Sequence, residues 1–354
     1  MAPLRAVLVT PVSGPLARFG RAGAAALRVW AVRAPGVPAP WTAVDLAVID
    51  AYPSASAAMR TAASQRPDVL FGPYGSGPAV AALQATRRVV WNHGGATARL
   101  RRPTFAHALN VVAPAASYFD RVLRAMRASD PAIGRVALLH STTGFGQEVA
   151  SGAASTSDEL GLELRATPFA PGQVAAAAGE VAPGDALLVA GAFDDELAAA
   201  RLLLGRGWRA AAFVGAGVEE VLAPLGQARE GLLGPAQWVA RVAEAPDEGP
   251  DAAWFVATFQ AAVRAEPPYP AAAAFASGVL AARCLREAGR ANNGALLAAA
   301  ARLAVRTLFG DFRLDPETGL QVGHEVLVVQ WQAGVRRVVW PPGRAERPML
   351  PLRA

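Results

Sequence analysis

Two stretches constrain the fold of this chain most: Leu70-Phe-Gly-Pro-Tyr-Gly-Ser-Gly-Pro78 and, one helix length later, Val89-Val-Trp-Asn-His-Gly-Gly-Ala-Thr97. Each begins as a short buried strand and spills into a Gly-rich turn, and the first turn then opens an Ala-rich helix. Small residues, backbone N–H groups and two hydroxyls are thereby gathered at the carboxyl ends of neighbouring strands. In an open parallel sheet, that is where ligands bind.

The surrounding pattern fits such a sheet. Arg5–Thr10 reads as a buried strand that turns through Pro-Val-Ser-Gly-Pro into a helix from about Ala17 to Trp30. Val44–Ile49 is a second strand, and Ser54 is an N-cap candidate for a helix reaching about Gln65. Strands Val69–Phe71 and Val89–Trp91, with a helix from Ser76 between them, complete a β-α-β-α-β-α-β series. Strands separated by helix-length segments predict a parallel, doubly wound sheet.

A second series follows: a helix from about Pro114, strand Arg135–His140, helix Gly146–Leu160, and strands Glu163–Thr167 and Asp185–Ala190. Helix Asp194–Leu204 and strands Ala211–Val214 and Leu232–Trp238 extend it. Ala243–Asp251 reads as an acidic surface loop. Helices Ala252–Arg264, Ala271–Ala288 and Gly294–Ala304 come next, then Gly310–Leu314 and the turn Asp315-Pro-Glu-Thr-Gly319. Strands Glu325–Gln330 and Val335–Trp340 end the pattern as a hairpin. A terminal hairpin after a run of helices most simply returns to pair with another sheet.

Composition sets the outer bounds. A chain of 354 residues, 53% hydrophobic and 18% charged, is expected to form two domains with full cores. All 34 basic residues are arginine, and the net charge of +6 is spread along the chain. The tightest basic group, Arg99-Leu-Arg-Arg102, has neither aromatic interleaving nor a repeat, so a solvated surface is expected and nucleic-acid binding is not. The single cysteine, Cys284, lies in an apolar helical stretch and reads as a packed small hydrophobe. No window has the length of a membrane span, and the start lacks the apolar core of a secretory signal.

Catalytic motifs are weak. Without lysine there is no Walker phosphate loop and no Schiff-base chemistry. Gly215-Ala-Gly217 lacks the third glycine of a dinucleotide fingerprint, and no G-x-S-x-G elbow occurs. The four histidines, at 93, 107, 140 and 324, have no metal-ligand spacing. Ser76 with His93 lacks an orienting acid at a recognisable position. No cofactor, no metal site and no catalysis are expected.

Taken in order, several of these segments are similar to the type I periplasmic solute-binding proteins of ABC importers, in the branched-chain amino-acid group. The segments are Ser13-Gly-Pro-Leu-Ala-Arg-Phe-Gly20, the Asp45–Asp50 strand, Phe71-Gly-Pro-Tyr-Gly-Ser76 and Gly95-Ala-Thr97. His140-Ser-Thr-Thr-Gly-Phe-Gly146, Pro268-Tyr-Pro-Ala-Ala-Ala-Ala-Phe-Ala276 and Phe309-Gly-Asp-Phe-Arg-Leu-Asp315 complete the set. The resemblance spans nearly the whole chain. It implies two doubly wound Rossmann-like α/β lobes joined by three crossovers, with ligand enclosed between them. Lobe one would be residues 1–110 plus 240–317, and lobe two residues 111–239 plus 318–354.

It also implies a site. Tyr74, Gly75 and Ser76 would approach the ligand closely, with Ser76 holding a carboxylate at the first turn of a helix; serine there is also a common N-cap, and both roles are expected. Ala96 and Thr97 match a second carboxylate-contacting turn, and His93 stands where the family usually has serine. Phe19 matches a position where a ring covers the ligand. Phe145, Phe193 and Phe275 stand at or near tyrosine positions, which points to a less polar ligand. At Gly217 amino-acid binders often carry an acid that pairs with the ligand ammonium; here Asp194, Asp195 or Glu219 substitutes, or the ligand has no α-amino group.

The function implied is a non-enzymatic solute-binding protein that closes over a small carboxylate ligand and partners ABC permease subunits, in a periplasmic or other extracytoplasmic location. The alternative is a cytoplasmic ligand-sensing regulator of the same fold, and a hydrolase ranks behind both.

Overall fold

In a computed structural model, which describes residues 2–218 and 221–352, the chain alternates strand and helix through most of its length. The first run is β1 (Leu4–Thr10), α1 (Ala17–Arg33), β2 (Val44–Asp50), α2 (Ala55–Ser64), β3 (Val69–Phe71), α3 (Ser76–Gln84), β4 (Val90–Asn92) and β5 (Ala108–Asn110). The second is α4 (Ser117–Ser129), β6 (Arg135–Ser141), α5 (Gly144–Leu160), β7 (Glu163–Phe169), α6 (Val174–Gly179), β8 (Ala186–Ala190), α7 (Phe193–Leu203), β9 (Ala210–Phe213) and β10 (Leu233–Ala236). The last comprises α8 (Ala252–Val263), α9 (Tyr269–Ala288), α10 (Asn293–Arg302), β11 (Ala304–Thr307), β12 (Gly310–Arg313), β13 (Leu327–Gln332) and β14 (Val335–Trp340).

The chain divides into two units. One holds the residues up to Ala113 with Trp238–Glu325; the other holds Pro114–Gln237 with the residues from Val326 on. The first contains a five-stranded parallel sheet in the order β2-β1-β3-β4-β5. The second contains a seven-stranded sheet in the order β14-β13-β10-β9-β8-β6-β7. There β13 runs antiparallel to β10, pairing Leu233 with Gln330, so the terminal hairpin does return to a sheet laid down earlier. Residues 318–325, read from sequence with the second lobe, run with the first unit. Arg102 N–H donates to Thr318 O at 2.8 Å, Asn110 to Gly319 O at 3.0 Å, and Gln321 to Val111 O at 3.2 Å.

Local chemistry sets the element ends. Ser54 caps α2 by accepting from Ala57 N–H at 3.3 Å, as expected from sequence, and Asp251 and Asn292 do the same for α8 and α10. Three short elements, β5, β11 and α6, have too few residues to show a period and escaped the pattern reading.

Each unit has its own core. In the first, the Trp30 ring lies edge-on to Phe71, with centroids 5.8 Å apart. Gly278 of α9 lets that ring come so close that an added Cβ would sit 2.4 Å from it. Cys284, also in α9, is fully buried, and burial pushes its thiol up to about 12, so it is an inert packing residue. In the second unit Leu139, Val189, Phe213, Leu232 and Trp331 pack together.

Both sheets reverse direction once. In the first unit the chain steps from β1 outward to β2 and then back across to β3; in the second it steps from β6 to β7 and back to β8. The crevice at such a reversal, outside the carboxyl ends of the two flanking strands, is the preferred ligand position in open α/β sheets. It falls at the loops Pro11–Leu16 and Gly72–Gly75 in the first unit, and at Thr142–Thr143 and Gly191–Ala192 in the second.

Candidate ligand site

The two Gly-rich turns of the first unit are hydrogen bonded to one another. Gly72 N–H donates to Trp91 O at 2.8 Å, and Gly75 N–H to Gly94 O at 3.0 Å. Nothing but glycine fits at position 94, where a Cβ would sit 2.6 Å from the Tyr74 Cα. Asn92, fully buried, holds the second turn from inside: its amide nitrogen donates to Gly95 O at 2.7 Å and Asn110 Oδ1 at 2.8 Å, and its oxygen accepts from Gly95 N–H at 2.8 Å. The segment Gly95-Ala96-Thr97 is thus fixed beside the start of α3. Ala96 and Thr97 are both buried, and Thr97 Oγ1 accepts from Arg99 N–H at 3.2 Å.

Helix α3 begins at Ser76 with Gly75 as its N-cap residue, at φ +98, and it has no side-chain cap. The capping role expected of Ser76 is therefore absent, because the serine is the first helical residue rather than the one before it. Its hydroxyl has no partner among the described residues. The N–H groups of Ser76 and Gly77 have no acceptor within the helix, and Pro78 contributes none. A half-buried hydroxyl and two N–H groups at the positive end of a helix form a place for an anion.

Aromatic side chains adjoin this turn. The ring of Phe19 lies 4.9 Å from that of Tyr74, tilted by 31°. Tyr74 in turn shares a hydrogen bond of 2.9 Å with the hydroxyl of Tyr269, the first residue of α9. Burial raises the Tyr269 phenol well above its ordinary range, so that phenol stays neutral. Sequence reading missed Tyr269 and chose Phe275 from the same helix. Phe275 is instead fully buried among Phe255 and Trp254, at centroid distances of 4.8 and 6.0 Å. Six residues along a helix place a side chain well over a turn away and on a different face, and Pro268 before Tyr269 is the local signal that the helix starts there.

His93 follows β4 and faces α1: an added Cβ on Gly23, one turn below Phe19, would lie 3.2 Å from its Cε1. It is wholly buried, and neither ring nitrogen reaches a hydrogen-bond partner. Burial, offset only in part by the nearby backbone of Gly72, pushes its pKa down to about 4, so it is a neutral imidazole behind the turn. Asp50 ties down the loop before α1 by accepting from Val12 N–H at 2.9 Å, Tyr52 N–H at 3.0 Å and the Ser13 hydroxyl at 2.5 Å.

In the second unit, Phe145 stands half-buried in the first turn of α5, edge-on to Tyr118 at 6.0 Å, and Gln237 donates to the Tyr118 hydroxyl at 2.9 Å. Thr143 caps α5 through Gly146 N–H at 3.2 Å. Phe193 opens α7 half-buried, followed by the exposed Asp194. Asp195 is buried, its carboxylate accepting from Gly172 N–H at 3.1 Å, so it is committed inside the unit. Gly217 is a packing residue: an added Cβ would lie 1.8 Å from Pro235 O, and its carbonyl accepts a hydrogen bond from Arg336. The acid absent from this position could not be built there. Of the three acids weighed as substitutes, Asp194 alone is described as open to solvent, and Glu219 lies outside the described residues.

Two doubly wound sheets, each reversing once and presenting Gly-rich or capped helix starts at the reversal, define an α/β protein of two units built to hold a small ligand. The chain belongs to the periplasmic binding protein family, whose profile matches residues 3–336. Among solved structures it is similar to an ABC-transporter solute-binding protein from R. palustris in complex with benzoate, at 19% identity over 96% of each chain and a TM-score of 0.78. It is similar also to a leucine binding protein from Thermotoga maritima, at 16% identity over 95% of this chain and 97% of that one, TM-score 0.79. A third is a solute-binding protein of an ABC transporter from Rhodopseudomonas palustris BisB5 in complex with 3,4-dihydroxybenzoic acid, at 18% identity over 94% and 95%, TM-score 0.75. At these identities the likeness is one of fold. No curated protein matches the chain. Among the described residues no helix is long and apolar enough to cross a membrane, and no cluster of side chains could hold a metal ion.

Proposed function

We propose that the protein is the non-catalytic solute-binding component of an ABC importer, acting outside the cytoplasm on a small carboxylate with an apolar, preferably aromatic, body. The observation that carries this reading is the uncommitted Ser76 hydroxyl at the start of α3, beside the turn that Asn92 holds rigid. In this reading Ser76, Gly77 N–H, Ala96 and Thr97 take the carboxylate, while Phe19, Tyr74 and Tyr269 meet the ring or alkyl body. Phe145 and Phe193 of the second unit are assigned to the remainder of the ligand, and Asp194 to a polar substituent on it such as a ring hydroxyl. In this reading ligand would favour a closed form only through contacts it makes better there, since a ligand shifts an equilibrium only through differential contacts.

An aromatic or aliphatic acid without an α-amino group is favoured over an amino acid by the packing of Gly217, which leaves no room for an ammonium-pairing acid. Benzoate and 3,4-dihydroxybenzoic acid in two of the similar structures support the same choice, and the leucine binding protein supports the amino-acid alternative. Calorimetry with benzoate, hydroxybenzoates, branched aliphatic acids and leucine tests the reading. Binding of the acids with leucine silent supports it, leucine binding alone replaces the ligand class, and silence across the panel removes the transport role.

A further inference from the structure

Glu196 lies in the first turn of α7, is completely buried, and faces backbone rather than any cation. One carboxylate oxygen accepts from Gly191 N–H at 3.1 Å and the other from Gly215 N–H at 2.6 Å. Gly191 follows β8 and Gly215 lies two residues past β9, so a single side chain straps together the turns at the carboxyl ends of adjacent strands. Both partners are close-packed glycines: a Cβ on Gly215 would sit 2.8 Å from the second carboxylate oxygen, and one on Gly191 would sit 2.8 Å from the Phe169 ring. The turn after β8 carries Phe193 and Asp194.

We propose that Glu196 is a positioning residue whose ionised form holds the Gly191–Asp194 and Val214–Gly217 turns in the arrangement that receives ligand, and whose protonation releases one of them. The proposal rests on the ligand-binding reading above. An ionised carboxylate offers an acceptor to each N–H; a neutral acid keeps one good acceptor, its carbonyl oxygen, and turns the other oxygen into a donor. The shorter bond to Gly215 is the one retained, and the longer bond to Gly191 is the one given up. Burial pushes the Glu196 carboxyl up to about 8, and the two N–H donors offset this only in part. Among the described residues the one charged group acting on it is Asp195, a like charge on the same helix; β8, β9 and the 214–217 turn bring no ionisable side chain.

The test uses the whole protein and the Glu196→Gln variant. Without ligand, the amide resonances of Gly191 and Gly215 should titrate with one common midpoint in the wild type and not in the variant, which can accept only one of the two bonds. With benzoate as probe, ionised throughout roughly pH 6 to 9, the wild-type dissociation constant should fall as pH rises, by about threefold to tenfold across the range. E196Q should bind weakly with a flat profile. Thermal melts of both proteins establish that the variant is folded. Where it is not, Glu196→Asp, which keeps the charge but loses reach, should titrate yet bind weakly. Independent or absent titration of the two amides overturns the proposal, as does an E196Q profile that overlays the wild type. If benzoate and the other acids do not bind, the ligand reading fails while the amide titration still decides the strap.

Discussion

Tyr74 and Tyr269, 195 positions apart in the chain, bring their hydroxyl groups to 2.9 Å from one another. That bond joins the turn before α3 to the first residue of α9, so helices contributed by the two ends of the first unit's sequence share a polar contact at the candidate site. Replacing either tyrosine by phenylalanine removes the bond. Each single variant is expected to lose about 1 kcal/mol of stability, and the double variant less than the sum. Urea denaturation of the four proteins measures the coupling, and additive losses would show that the two phenols do not support each other.

Ser76→Ala should separate binding from stability. An N-cap serine costs about 1 kcal/mol when truncated, but Ser76 caps nothing and its hydroxyl has no internal partner. The melting temperature without ligand should therefore stay within about a degree, while affinity for the carboxylate falls roughly tenfold, the worth of one hydrogen bond to a charged group. A lowered melting temperature with unchanged affinity would return Ser76 to a structural role.

Position 217 should reject every side chain. An added Cβ would lie 1.8 Å from the Pro235 carbonyl oxygen, which belongs to β10 and cannot swing aside. Gly217→Ala is expected to destabilise the second unit by at least about 3 kcal/mol, and Gly217→Asp by more. Circular dichroism melts of the two variants check this, and a folded, stable G217D would show that an ammonium-pairing acid was available to the site after all.

Acid should weaken the first unit through His93. Its folded pKa, near 4, lies below the ordinary value of 6.5, so the unfolded chain binds the proton more readily. The stability this neutral imidazole contributes is complete above pH 6.5 and is lost as pH falls toward 4. At its steepest the loss approaches about 1.4 kcal/mol per pH unit. Glu196 has the opposite sign: its contribution is complete below about 4.5 and is lost as pH rises through about 8. Urea titrations of wild type and His93→Gln between pH 7 and 5 should show a shallower acid limb in the variant. Parallel curves would mean that His93 does not titrate in this range.

The fold was largely legible because its signals are local and repeated. Strands such as β3 and β8 are apolar runs that end in a glycine turn, and Ser54 caps the helix that its position announced. In the site, the turns at Tyr74–Ser76 and Ala96–Thr97 were legible for the same reason. What sequence could not convey is burial. Phe275 and Tyr269 share a helix, and only packing shows which of the two lies among core rings and which touches Tyr74. Glu196 reads as one more acid at a helix start, beside Asp194 and Asp195, until the structure places it between two backbone N–H groups. Gly217 reads as a missing charge until the Pro235 carbonyl is seen to occupy the space.

The packing of Trp30 against Gly278 also bears on the order in which the protein can be made. Helix α1 carries Leu27 and Trp30 on the face that ends fully buried, but Gly278 is translated about 250 residues after Trp30, after almost all of the second unit. Until then that aromatic stripe has no cover of its own. The second unit waits in its turn for β13 and β14, which follow α9 and α10 in the chain. A nascent chain stopped anywhere before α9 therefore contains neither unit complete, and its exposed Trp30 face is the surface that a holding chaperone would find.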